Sequence, residues 1–155
     1  NMEGVNFPGH FLVNFPTPQG NIIIDPYNKG LIRTHADLKT LLKNIARDEI
    51  SFDSSLLAPV TKKKIIFRLL NNLKQIFQQK RDVETELQML DRMLIVEPDS
   101  IDELKRRGEI YAALKCYTTA VNDFERFISL VPASEEADKL KREIPLLLSL
   151  AKQMN

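Results

Sequence analysis

Apolar residues fall along this chain in two rhythms. Near the start they cluster in two short runs, Phe11 to Phe15 and Ile22 to Ile24, separated by Pro16, Thr17, Pro18, Gln19 and Gly20. Short apolar runs divided by turn-forming residues predict a β-hairpin. Asp25, Pro26, Tyr27, Asn28, Lys29 and Gly30 form a turn-rich loop, after which Leu31 and Ile32 predict a further short strand. The interval then lengthens. Thr34 offers an N-cap with Asp37 three residues on, and Leu38, Leu41, Leu42 and Ile45 recur at helical spacing, so a helix is expected from His35 to Ala46. Arg47 to Val60 mixes Asp, Ser and Pro59 without a period and reads as a connector.

From Thr61 onward the pattern is helical throughout, and it repeats. Pro98 and Pro132 lie 34 residues apart, each closing an apolar segment: Met93 to Val96 before the first, Phe127 to Val131 before the second. That interval is the tetratricopeptide (TPR) period, in which each unit is a pair of antiparallel helices. With Pro132 closing a unit that begins at Ile101, the motif's packing positions fall on Leu104, Gly108, Tyr111, Ala120, Phe124 and Phe127. Gly108 and Ala120 are small where helix axes approach, and the aromatic residues fill the gaps beside them. The preceding unit, from Phe67, has large residues in place at Leu70, Leu73, Phe77, Leu90 and Met93 but charged Lys74 and Glu86 at the two small sites; it is a degenerate repeat. Ser134 can cap a last helix in which Leu140, Ile144, Leu147, Leu148 and Ala151 form an apolar stripe and Pro145 predicts a kink. This helix is expected to shield the open end of the stack.

The fold class implied is α+β, mostly α: a hairpin region with one helix and a connector over residues 1–60, then helical repeats and a capping helix over 61–155. Composition narrows the function. Twenty-two Lys and Arg against 21 Asp and Glu leave a formal charge of +1, which supplies no field to gather nucleic acid or anionic lipid. The uncharged stretch from Gly4 to Ile24 holds three prolines and several amides, which excludes both a membrane helix and a signal peptide. One cysteine, Cys116, excludes an internal disulfide and a thiolate metal cluster and fits the cytoplasm. It lies between the two helices of the second repeat, flanked by Lys115 and Tyr117, and reads as an incidental thiol. His35 has no second ligand nearby, and no Gly-rich phosphate loop is present, so neither a metal nor a cofactor is expected. The basic runs at Lys62 to Lys64 and Lys105 to Arg107 read as solvated helix faces.

Two stretches carry a resemblance. Gly4-Val5-Asn6-Phe7-Pro8-Gly9-His10-Phe11-Leu12-Val13, followed by Ile24-Asp25-Pro26-Tyr27-Asn28-Lys29-Gly30, is similar to the end of the transglutaminase-like core of the bacterial SirB/YchA family, whose members continue into TPR helices. The run Phe67 to Lys74 and the segment Arg107 to Ala112 resemble it as well. The resemblance implies a triad in which a cysteine attacks an acyl carbon, a histidine takes its proton and an aspartate orients the imidazole. His10 matches the histidine and Asp25 the aspartate. The nucleophile-bearing helix of such a core precedes the Gly-His segment, and only nine residues precede His10 here.

Three readings follow. The chain is a non-catalytic interaction or structural module, with Asp102, Lys105, Arg106 and Glu109 facing a partner from the groove of the second repeat. Alternatively, His10 and Asp25 serve a cysteine supplied upstream or by another chain, in a cysteine-dependent acyltransferase or peptidase. Finally, the strands around Phe11, Val13, Ile22 and Ile24 lack a covering helix and are expected either to fold onto the TPR helices or to pair with a second copy as a homodimer.

Overall fold

The computed structural model describes residues 2–46 and 51–154, so the part of the expected connector at residues 47–50 lies outside the described residues. The chain forms two compact units, residues 1–65 and 66–155. The division falls a few residues beyond the expected one, inside a helix.

The first unit is built on a four-stranded antiparallel sheet in simple sequential order: β1 (Glu3–Phe7), β2 (His10–Thr17), β3 (Gly20–Asp25) and β4 (Leu31–Arg33). The expected hairpin is β2 and β3, closed at Thr17 and Gly20, with the Thr17 hydroxyl donating to the Gly20 carbonyl. β1 was not among the expected elements. It is joined to β2 through Pro8 and Gly9, with Phe7 opposite His10. Proline presets φ at the first turn position and Gly9 takes φ 68°, so this dipeptide reverses the chain cleanly.

α1 (His35–Ala46) has the expected bounds. Its start is closed reciprocally: the Thr34 amide and hydroxyl donate to Asp37 Oδ2, and the Asp37 amide donates to Thr34 Oγ1. Leu38 and Leu42, one helical turn apart, are fully buried with Val5, Phe7, Leu12 and Ile23 of the sheet. Burial of each such leucine stabilises by about 2 kcal/mol. Phe11, Val13, Ile22 and Ile24, the residues expected to need a cover, lie on the opposite face and are half-buried; the Leu12 and Ile23 face is covered from within its own unit, by α1 and by Phe52, Leu56 and Leu57. The latter belong to the segment read as a plain connector. It contains instead a 3-10 turn at Ser54–Leu57, and Pro59 forms an isolated bridge with Val5 while the Val60 amide donates to the Gly4 carbonyl.

Five helices follow: α2 (Lys62–Lys80), α3 (Val83–Val96), α4 (Ile101–Ala113), α5 (Tyr117–Leu130) and α6 (Glu135–Gln153). Pro98 and Pro132 each fall just past the end of a helix, α3 and α5. Ala120, Phe124, Phe127, Ala137 and Leu140 form the core of α5 and α6, with Tyr111, Ala112, Ile144 and Leu147 packed against it. Ser134 caps α6 by accepting from the Ala137 amide, and the helix runs on through Pro145 to Gln153. α2 departs from the repeat pattern, because none of its residues is buried.

Candidate functional site

The first site is at the end of the sheet. Val13 faces Ile24 in the β2–β3 register, so Asp25 and His10 project from the same face at neighbouring positions, as close as a diagonal pair allows. Asp25 is fully buried. Its carboxylate is not directed chiefly at His10. Oδ2 accepts from Arg33 Nη2 at 2.9 Å, from Arg33 Nε at 3.2 Å and from Asn28 Nδ2 at 2.8 Å, while Oδ1 accepts from the Asn28 amide at 3.2 Å. His10 Nδ1 stands 3.7 Å from Oδ2, beyond hydrogen-bond length. The imidazole also meets the edge of the Tyr27 ring, with centroids 6.1 Å apart.

Burial pushes the Asp25 carboxyl upward, but hydrogen bonds from Asn28 and Arg33 and the nearby His10 outweigh it and hold the group below the usual carboxylate range. Asp25 thus gathers the β3–β4 loop around itself. Its backbone carbonyl accepts from the Gly30 amide, and Lys29 and Gly30 take φ 57° and 78° to bring the chain back toward Arg33. The sequence reading identified His10 and Asp25 but not Arg33 or Asn28. The available signal was the acid-to-arginine interval across a tight turn, which places Asp25 and Arg33 on adjacent antiparallel strands. Asn14 was also passed over; it is buried, its Nδ2 donates to Glu3 Oε2, and its Oδ1 has no partner among the described residues.

The second site is the face of α4. Lys105 pairs with Glu136 at 2.8 Å and lies 3.8 Å from Glu109. Arg106 pairs with the buried Glu86 at 2.7 Å and lies 3.6 Å from Glu109. Asp102 is exposed. Arg107 is held between Asp91 and Asp123, at 2.8 and 2.6 Å. Its hydrogen bond with Asp123 leads the effects that strengthen its charged form, against burial. The expectation that Lys105, Arg106 and Arg107 form a solvated face is corrected: these cations tie α4 to α3, α5 and α6.

The charged residues of the degenerate repeat belong to the same system. Lys74 donates to Glu103 at 2.8 Å, and Glu86 accepts from both Gln78 and Arg106. Burial raises the Glu86 and Glu103 carboxyls, but hydrogen bonds from Arg106 and Gln78, and from Lys74 and Ser100, lower them below their ordinary values. A paired charge can fill a site that a small residue fills elsewhere, provided its partners are present. Gly108 is buried, and a Cβ there would lie 2.5 Å from Phe124 Cε1. Phe124 belongs to one apolar cluster with Ala120, against which Tyr111 packs. Cys116 is exposed just before α5, in the second unit, with its Sγ 3.9 Å from the Leu114 carbonyl. Among the described residues no helix is long and apolar enough to cross a membrane.

Comparison with known proteins agrees with both halves of this description. Residues 1–71 match the model of the transglutaminase-like superfamily, and residues 73–145 match that of the tetratricopeptide repeat. The chain therefore joins a segment similar to the transglutaminase-like superfamily to one similar to the tetratricopeptide repeat. Over 90% of its length it is 29% identical to a UPF0162 protein of Xylella fastidiosa, 26% identical to SirB1 of Salmonella typhimurium and 27% identical to the UPF0162 protein YchA of Escherichia coli. By these matches it is similar to the SirB1/YchA proteins, and it spans about half the length of the curated relatives it matches, 51 to 52% in these three.

Proposed function

We propose that this chain is a non-catalytic structural and docking module of a cytoplasmic bacterial protein, acting on a protein partner. The observation that carries this reading is the use of the Asp25 carboxylate. A triad aspartate orients an imidazole by accepting its N–H; here the close acceptor contacts go to Arg33 and Asn28, and His10 stands off at 3.7 Å. The α4 residues considered as groove contacts support bracing over capture of a peptide, since Lys105 and Arg106 are committed to Glu136 and Glu86.

Alkylation of Cys116 tests whether His10 activates the chain's own thiol. A non-catalytic chain reacts with iodoacetamide at the rate of an ordinary exposed thiol, equally in wild type and His10→Ala. A rate that drops severalfold in His10→Ala would contradict the proposal. A second reading, in which His10 and Asp25 serve a cysteine outside this chain, draws on their shared face and on the half-length match to the relatives. It requires that the protein at its native length form an acyl adduct with thioester donors, and that His10→Ala abolish the adduct.

A further inference from the structure

α2 carries an apolar line that its own fold leaves open. Ile66 is 48% exposed, Leu69 56%, Leu73 42% and Ile76 44%. Successive intervals of three, four and three residues set them on one narrow stripe of the helix, the a and d spacing of a coiled-coil seam. The same register begins at Lys62 and ends at Lys80, both exposed. The helix holds six cations, one of them Lys74 paired with Glu103, and no carboxylate.

These features select among occupants. In a second copy, aligning the four apolar residues sets Lys80 against Lys80 in a parallel pair and against Lys62 in an antiparallel one. Like charges therefore close both ends of either seam, an arrangement that disfavours self-pairing. A bilayer takes a broad apolar face anchored by exposed aromatic residues, whereas Phe67 and Phe77 of this helix are half-buried and the Phe77 ring lies beneath Lys80 Nζ, 5.9 Å from it. An acidic helix satisfies both requirements, with four apolar residues at matching intervals and a carboxylate one step beyond each end.

We infer that the Ile66–Ile76 stripe of α2 docks an amphipathic acidic helix of a partner protein, through a four-residue apolar seam closed by Lys62 and Lys80. This rests on the reading of the chain as a docking module, and names the chemistry of its partner.

The test is fluorescence anisotropy of the full chain with two labelled synthetic helices. Both carry leucine at the four matching positions; one has glutamate at the two closing positions and the other lysine. The glutamate-ended peptide is expected to bind about tenfold more tightly at low salt, from two end contacts of opposite instead of like charge. Leu69→Ser with Leu73→Ser removes that binding, and because both side chains are exposed the helical circular dichroism of the variant stays that of wild type. Lys80→Glu shifts preference toward the lysine-ended peptide, which a merely sticky apolar stripe would not do. Equal affinity for the two peptides, or binding undiminished in the double serine variant, overturns the proposal. So does self-association, or cosedimentation with phosphatidylserine vesicles, that the double variant abolishes. Failure here together with an alkylation rate independent of His10 refutes this docking surface and leaves the non-catalytic reading in place.

Discussion

Asp25 matches the aspartate position of the resemblance, and its close contacts are with the turn and strand that follow it. It sits at the last position of β3 with no exposure to solvent, and a buried carboxylate is tolerated only with partners on its lone pairs. Arg33 and Asn28 supply them, from the strand and the turn that follow. Gly108 is the corresponding case in the second unit. A methyl group there would meet the ring of Phe124, which is 3% exposed and has no room to retreat. Gly108→Ala gains about 1 kcal/mol of helix propensity but forces an overpacked contact costing about 1–3 kcal/mol. Thermal unfolding is expected to show a net fall in midpoint; an unchanged or higher midpoint would mean that Phe124 can yield.

At the scale of elements, the legible parts were those whose causes are local. α1 could be bounded because Thr34, just before it, and Asp37 cap it and Leu38 and Leu42 lie one turn apart within it. The repeat could be phased because each proline ends a helix at the same step of the unit. β1 was missed because Val5 and Phe7 are too few to declare a strand; its existence depends on pairing with β2 beyond Pro8 and Gly9. The connector was misread for a like reason, since Phe52, Leu56 and Leu57 acquire meaning only against the sheet. The candidate histidine and aspartate were legible as a motif, but the close partners of the aspartate, Asn28 and Arg33, were not. The same holds for Lys74 and Glu86, whose charges looked like damage to a repeat. Glu103 lies 29 residues from Lys74, and Arg106 lies 20 from Glu86; no spacing rule links them.

Across the whole molecule, a near-neutral chain keeps its stability in paired carboxylates. Asp25, Glu86 and Glu103 are each held below their ordinary values by the hydrogen bonds and cations that surround them, in spite of burial. A carboxyl lowered on folding contributes stability that is complete above its unfolded value, about 3.9 for Asp and 4.3 for Glu, and lost as the pH falls through the folded one. Urea midpoints are therefore expected to vary little on this account between pH 7 and 5 and to fall steeply below about pH 4; a midpoint that rose on acidification would contradict the assignment.

We read Asp25 as binding the β3–β4 loop together and not as serving His10 as a triad aspartate. Equilibrium urea unfolding of Asp25→Asn and His10→Ala at pH 7, beside wild type, tests it most directly. Asp25→Asn strands the Arg33 guanidinium and is expected to cost about 3 kcal/mol, while His10→Ala removes a half-buried ring without a hydrogen bond to Asp25 and costs less than about 1 kcal/mol. Equal losses in the two variants, or a stable Asp25→Asn, would contradict it.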